Sequence, residues 1–170
     1  MECWRITKYN PLYRNEEGAF LKKNWTSYSD IGRIFGGREF TFDEYVMVEN
    51  KYIDAVISLM KCIDISHLEV TDLEKYTDTV GLDENASENM VCLFNTIGKN
   101  HVVDIDNIPD VCRLILREYM WCKLKYDVYM YVHFGYDFYM YVGSYLKCQD
   151  DLDNIIKSGL FVEAFQSPYL

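Results

Sequence analysis

A ten-residue echo does most to limit what this chain can fold into. Asp127-Val128-Tyr129-Met130-Tyr131-Val132 is followed by Asp137-Phe138-Tyr139-Met140-Tyr141-Val142. Alternation of aliphatic and aromatic side chains has the two-residue period of a strand, so each copy predicts one. Val128, Met130, Val132, Phe138, Met140 and Val142 fall on one face, and Tyr129, Tyr131, Tyr139 and Tyr141 on the other. Directly opposed residues of an antiparallel pair share a face, so keeping aliphatic against aliphatic predicts pairs such as Met130 with Met140. That register leaves a three-residue loop, Phe134-Gly135-Tyr136, or a five-residue one. A two-residue turn with Gly135 first would mix the faces. His133 then faces Asp137, whose carboxylate favours imidazolium. The tyrosine face has two readings: a second buried side covered by helices or by the N-terminal loop, or a row of interface anchors.

A hairpin over about 127–145 needs neighbours to bury its core face. Thr41-Phe42-Asp43-Glu44 is a capping box, with Phe40 placed to staple onto Tyr45, and predicts a long helix from here to about Cys62. Tyr45, Val48, Tyr52, Val56 and Leu59 recur at helical spacing, while Asp43, Asn50, Asp54, Ser58 and Lys61 lie opposite. A short strand from His67 to Val70 follows, then an acidic stretch, Thr71 to Glu88, in which Gly81, Asp83 and Asn85 read as loop. Met90, Phe94 and Ile97 predict a second helix ended by Gly98, and His101 to Asp104 a strand. Asp106-Asn107-Ile108-Pro109 opens a third helix, whose apolar stripe is Ile108, Val111, Cys112, Ile115 and Tyr119. Asp150 is placed to cap a fourth, with Leu152, Ile155 and Ile156 inward and Gly159 past its end, leading to a strand from Leu160 to Phe165. Before the long helix, Cys3 to Tyr9 reads as a strand and Asn10 to Gly37 as ordered loop. The whole is one α+β domain, residues 1–170: an antiparallel sheet with three to four helices.

Charge narrows the function classes. The 170 residues carry a net charge of -10, placed unevenly: residues 1–40 hold 7 basic and 5 acidic groups, 41–112 hold 4 and 15, and 113–170 hold 6 and 7. A field of this sign repels nucleic acid and anionic membrane and favours a basic protein partner; it also keeps a protein soluble. Asp43, Glu44, Asp54, Asp72, Glu74, Asp78, Asp83, Glu84 and Glu88, offset within the acidic stretch by Lys75, are the candidate partner-binding residues. The N-terminus, Met1-Glu2-Cys3-Trp4-Arg5-Ile6, has no export pattern, so the expected location is cytoplasmic, with the six cysteines reduced and Asn24-Trp25-Thr26 unglycosylated.

Catalytic patterns are missing. His67, His101 and His133 stand alone, and no Cys-x-x-Cys or His-Glu-x-x-His pair occurs, so neither a metal nor a cofactor is expected. Asp104-Ile105-Asp106-Asn107 opens like a calcium loop, but Ile115 stands where the bidentate Glu belongs. Gly36-Gly37-Arg38 lacks the Lys-Ser/Thr of a phosphate loop.

Three stretches have the look of signatures: Trp4-Arg5-Ile6-Thr7-Lys8-Tyr9, Trp25-Thr26-Ser27-Tyr28-Ser29-Asp30-Ile31-Gly32 and His133-Phe134-Gly135-Tyr136-Asp137. In size, acidity and α+β character the chain resembles the small immunity proteins of bacterial polymorphic and contact-dependent toxin systems. The resemblance is one of type and carries over no functional residue. It implies an inhibitor that covers a basic toxin domain, often a nuclease, with electrostatic steering speeding association. A non-catalytic scaffold or regulatory interaction domain is the second expectation, and an enzyme with a site assembled from distant residues the third.

Overall fold

In the computed structural model, which describes residues 1–76 and 82–170, the tyrosine echo forms the middle of a seven-stranded sheet. In chain order the elements are β1 (Glu2–Thr7), β2 (Ile34–Phe35), β3 (Arg38–Glu39), α1 (Phe42–Cys62), β4 (His67–Lys75), α2 (Glu88–Thr96), β5 (Val102–Asp104), α3 (Ile108–Leu116), β6 (Met120–Tyr126), β7 (Met130–Phe134), β8 (Tyr139–Ser144), α4 (Gln149–Lys157) and β9 (Phe161–Ala164). The sheet runs β5-β4-β6-β7-β8-β1-β9 with each pairing antiparallel, and β2 and β3 form a separate small hairpin. The fold is α+β.

The hairpin keeps the expected faces but not the expected register. Met130 pairs with Ser144, Val132 with Val142 and Phe134 with Met140, so the strands slide four residues from a Met130–Met140 pairing. An even slide preserves side-chain parity. Its cause is the turn. Five residues, 135–139, separate the last pair; the Gly135 amide donates to the Tyr139 carbonyl, and Asp137 and Phe138 take left-handed backbone at φ 58° and 62°. This conformation sends Phe138 into the core against Trp25, Tyr45 and Tyr52. His133 consequently lies opposite Tyr141 rather than Asp137, buried, stacked on Tyr131 and hydrogen-bonded to Ser167 at 2.8 Å. Burial, helped by Lys123 and opposed by Asp72, lowers its pKa to about 4, so the imidazole is neutral where imidazolium was expected. Val128 sits in the turn before β7 and is exposed, not core.

The core face of the sheet carries Trp4, Ile6, Leu68, Val70, Met120, Leu124, Met130, Val132, Met140 and Val142, all buried. Against it α1 lays Tyr45, Tyr52, Val56 and Leu59, and α3 lays Ile108, Val111 and Ile115. On the opposite face Tyr131 and Tyr141 are covered chiefly by the C-terminal tail: Tyr169 meets Trp121, His133 and Tyr141, and Phe165 packs on Tyr141. The N-terminal loop covers Tyr139 through Tyr9 and Arg14. Tyr129 remains exposed.

The helix α1 starts where its capping box predicts. Thr41 Oγ1 accepts from the Glu44 amide while Glu44 reaches back to the Thr41 amide. The helix α4 begins one residue before Asp150, with Cys148 at the cap, and exposes Ile156 instead of burying it. Two features depart further from the expectations. The strand β4 runs to Lys75, through what reads as acidic loop, because β6 pairs with it across a bulge at Asp72, φ 50°. Cys62 and Cys148, 86 residues apart in sequence, are joined in a disulfide that ties the end of α1 to the start of α4; Cys3, Cys92, Cys112 and Cys122 are free. No helix among the described residues is long and apolar enough to cross a membrane.

Candidate functional site

Two of the signature stretches meet at one end of the sheet. Phe134, Gly135, Tyr136, Asp137 and Phe138 of the β7–β8 turn and Thr26 of the loop before α1 line a cavity of about 430 Å³. Its other walls come from Glu118 after α3, from Met120 and Trp121 at the start of β6, from Ile115 and Leu116, and from Tyr76. The turn is held from several sides. The Trp121 indole N–H donates to the Phe134 carbonyl at 2.6 Å, and the Tyr52 hydroxyl donates to the Phe138 carbonyl at 2.7 Å. Gly135 is closely packed: a Cβ there would lie 3.0 Å from the Tyr169 hydroxyl and 3.2 Å from the Tyr141 ring, so those neighbours would have to give way. Left-handed backbone recurs on the same wall, at Glu118 (φ 62°), Asp137 and Phe138. A bulky residue such as Phe rarely adopts it. Tertiary packing maintains this turn against local preference.

The third signature stretch adjoins. The Lys8 ammonium donates to the Trp25 carbonyl at 2.6 Å and lies over the Trp25 ring, and burial brings its pKa down to about 7 against the opposing pull of Asp30 and Asp137. Asp30 in turn accepts from the amides of Thr26 and Ser27. Burial would raise its pKa, but those amides, with Arg33, hold it below the ordinary range.

Charge compensation separates Glu118 from the other carboxylates. Asp83, in the same contest with burial, is held low by hydroxyls of Tyr28 and Tyr119, and Glu163 by Arg14 and Arg5. Glu118 is pushed the other way, raised by burial and then by the charges of Asp137 and Asp30. Neither Glu118 nor Asp137 has an ion-pair or side-chain hydrogen-bond partner among the described residues. The cavity is thus walled by aromatics and by two carboxylates that form no ion pair.

The nine acidic residues expected at a partner surface do not form one surface. Asp43 and Asp54 are exposed on α1, three turns or about 16 Å apart. Glu44 is engaged in its capping box and with Arg38 at 2.5 Å. Asp72 pairs with Lys123 at 2.9 Å, and Glu74 lies opposite Trp121, both on the side of the sheet away from the helices. Asp78 lies outside the described residues. Asp83 accepts the Tyr28 hydroxyl at 2.5 Å, which ties it into the structure. Glu84 and Glu88 stand exposed beside it at the start of α2.

What joins α1 to this segment is an ion pair the apolar spacing conceals. Glu49, fully buried, accepts two bonds of 2.8 Å from Arg117, whose guanidinium also donates to the Asn85 carbonyl at 2.9 Å. Glu49 falls four residues after Tyr45 and four before Ile53, on the core face of α1; a carboxylate inside an apolar stripe is the signal that could have revealed it. Glu118 and Trp121 offered no such signal, since they become neighbours of the β7–β8 turn only through the pairing of β6 with β7. Cys62, Cys148 and Asp151 cluster within 4.8 Å, but the two sulfurs are bonded to each other. Comparison with protein-family models, with curated proteins and with solved structures finds no match for this chain.

Proposed function

We propose that this protein is a binding inhibitor of the immunity type, which neutralises a basic toxin domain by direct contact in the bacterial cytoplasm. The observation that carries the reading is the excess of exposed carboxylates that form no ion pair, Asp43, Glu84 and Glu88 near the Arg117 anchor and Glu118 and Asp137 at the cavity, in a chain of net charge -10. Uncompensated charge on an exposed face adds little to stability and steers a partner of opposite sign. The same sign opposes nucleic acid and anionic membrane as partners. The Cys62–Cys148 bond pulls against a cytoplasmic location, because disulfides persist mainly in oxidising compartments.

The test is capture of partners from the native proteome on the immobilised chain, followed by kinetics with the captured protein. Asp43→Lys, Glu84→Lys and Glu88→Lys are combined; Asp83 is left alone because it accepts the Tyr28 hydroxyl. The expected result is a basic partner whose activity is inhibited, an association rate that falls as salt rises, and a further fall of about tenfold or more in the triple variant. A partner whose activity survives binding, or whose association ignores both salt and the three reversals, would overturn the reading.

A further inference from the structure

We propose that the cavity at the β7–β8 turn receives an arginine side chain of the protein partner, gripped between the carboxylates of Glu118 and Asp137 and the aromatic walls of Trp121 and Tyr136. The proposal rests on the partner being a basic protein and adds which group of that partner is read. Three observations converge. The cavity, at about 430 Å³, is of the size that admits a side chain or small ligand, and its walls are mostly aromatic and apolar with a few convergent polar groups. Its two carboxylates form no ion pair, Lys8 acting on Asp137 only at longer range, although elsewhere Glu49, Asp30, Asp72, Asp110 and Glu163 are each paired with a cation. The Glu118 pKa is raised by burial first and then by the charges of Asp137 and Asp30, and an incoming cation would oppose both.

Arginine fits better than lysine for a geometric reason. A guanidinium is planar, stacks on aromatic faces and can donate to two carboxylates at once, whereas an ammonium is a compact, strongly hydrated charge. Tyr136, a large aromatic side chain lining the cavity, is 81% exposed. Glu118 holds left-handed backbone, where glycine or asparagine is the usual occupant, whereas aspartate, as at Asp137, adopts it readily.

The probe is N-acetyl-arginine amide, titrated into the whole protein labelled with nitrogen-15, with N-acetyl-citrulline amide and N-acetyl-lysine amide as controls. Expected are saturable shifts of the Trp121 indole N–H and of the Gly135, Asp137 and Glu118 amides. The citrulline analogue should bind at least tenfold more weakly, the lysine analogue more weakly than arginine. Glu118→Gln with Asp137→Asn should lose binding about tenfold or more with the rest of the spectrum unchanged. Equal responses to arginine and citrulline, or shifts that map elsewhere, would overturn the proposal, and an equal response to lysine would overturn the choice of arginine. If the carboxylate variant fails to fold, the comparison of the three probes on the unmodified chain still decides. Because the probe needs no partner, failure of the cavity and failure of the inhibitor reading are separate results.

Discussion

His133 is a neutral imidazole in a place that resists charge, pressed between Tyr131 and Tyr169 with its Nδ1 at Ser167. Its folded pKa of about 4 lies below the ordinary 6.5, so the unfolded chain takes up the proton first as pH falls. The stability it contributes is fully present above pH 6.5 and is lost as pH drops toward 4, amounting to about 3–4 kcal/mol at most at 1.36 kcal/mol per unit. Urea melts between pH 7 and 4 should show this slope, and His133→Gln should flatten it. The low-held carboxylates Asp30, Asp83 and Glu163 act in a lower window, losing their contribution as pH falls below their ordinary values of 3.8 and 4.5. Glu118 has the reverse sign: its pKa is raised, so its contribution declines as pH rises through the folded value. An unaltered slope in His133→Gln would mean that another group titrates there.

At the scale of elements, α1 is held at both ends and in the middle. The Thr41–Glu44 box starts it, and that much is written in four adjacent residues. Its docking onto α3 and the Asn85 segment depends on Glu49 and Arg117, 68 residues apart, whose meeting no local pattern announces. Burial would lower the Arg117 pKa, but bonds and charge from Glu49 outweigh it and the group stays firmly protonated. Removing one partner leaves the other buried without compensation, so Glu49→Ala should cost about 3–5 kcal/mol in denaturant melts. Glu49→Leu with Arg117→Leu should cost less than the single change, because no orphaned charge remains. Equal or additive losses would show that packing, not the ion pair, sets the value of this contact.

For the whole molecule, the Cys62–Cys148 bond links the helical layer to the segment that carries α4, β9 and the tail over the tyrosine face. A cross-link closing so long a loop stabilises mainly by restricting the unfolded chain, typically by about 2–4 kcal/mol. Cys62→Ser with Cys148→Ser should therefore lower the unfolding free energy by about that amount. A reducing agent should do the same to the unaltered chain and nothing to the double variant. Thiol titration in denaturant without reductant should count the four free cysteines, Cys3, Cys92, Cys112 and Cys122; six would show that the bond does not form.

By itself the amino-acid order determined what depends on neighbours within a few residues. Alternation set the two faces of the β7–β8 hairpin, the Thr41 capping box set the start of α1, and Asn107-Ile108-Pro109 set the start of α3. Periodicity and capping are local energies, so they can be read locally. The register of the hairpin escaped, since a slide of four residues keeps every face and is decided by where Phe138 finds its core. The strand β6, the disulfide and the cavity escaped for the same reason. Lys123 meets His133, Cys62 meets Cys148, and Glu118 shares a wall with Asp137 only after distant segments pack, and contacts between distant segments leave no periodic trace in the chain.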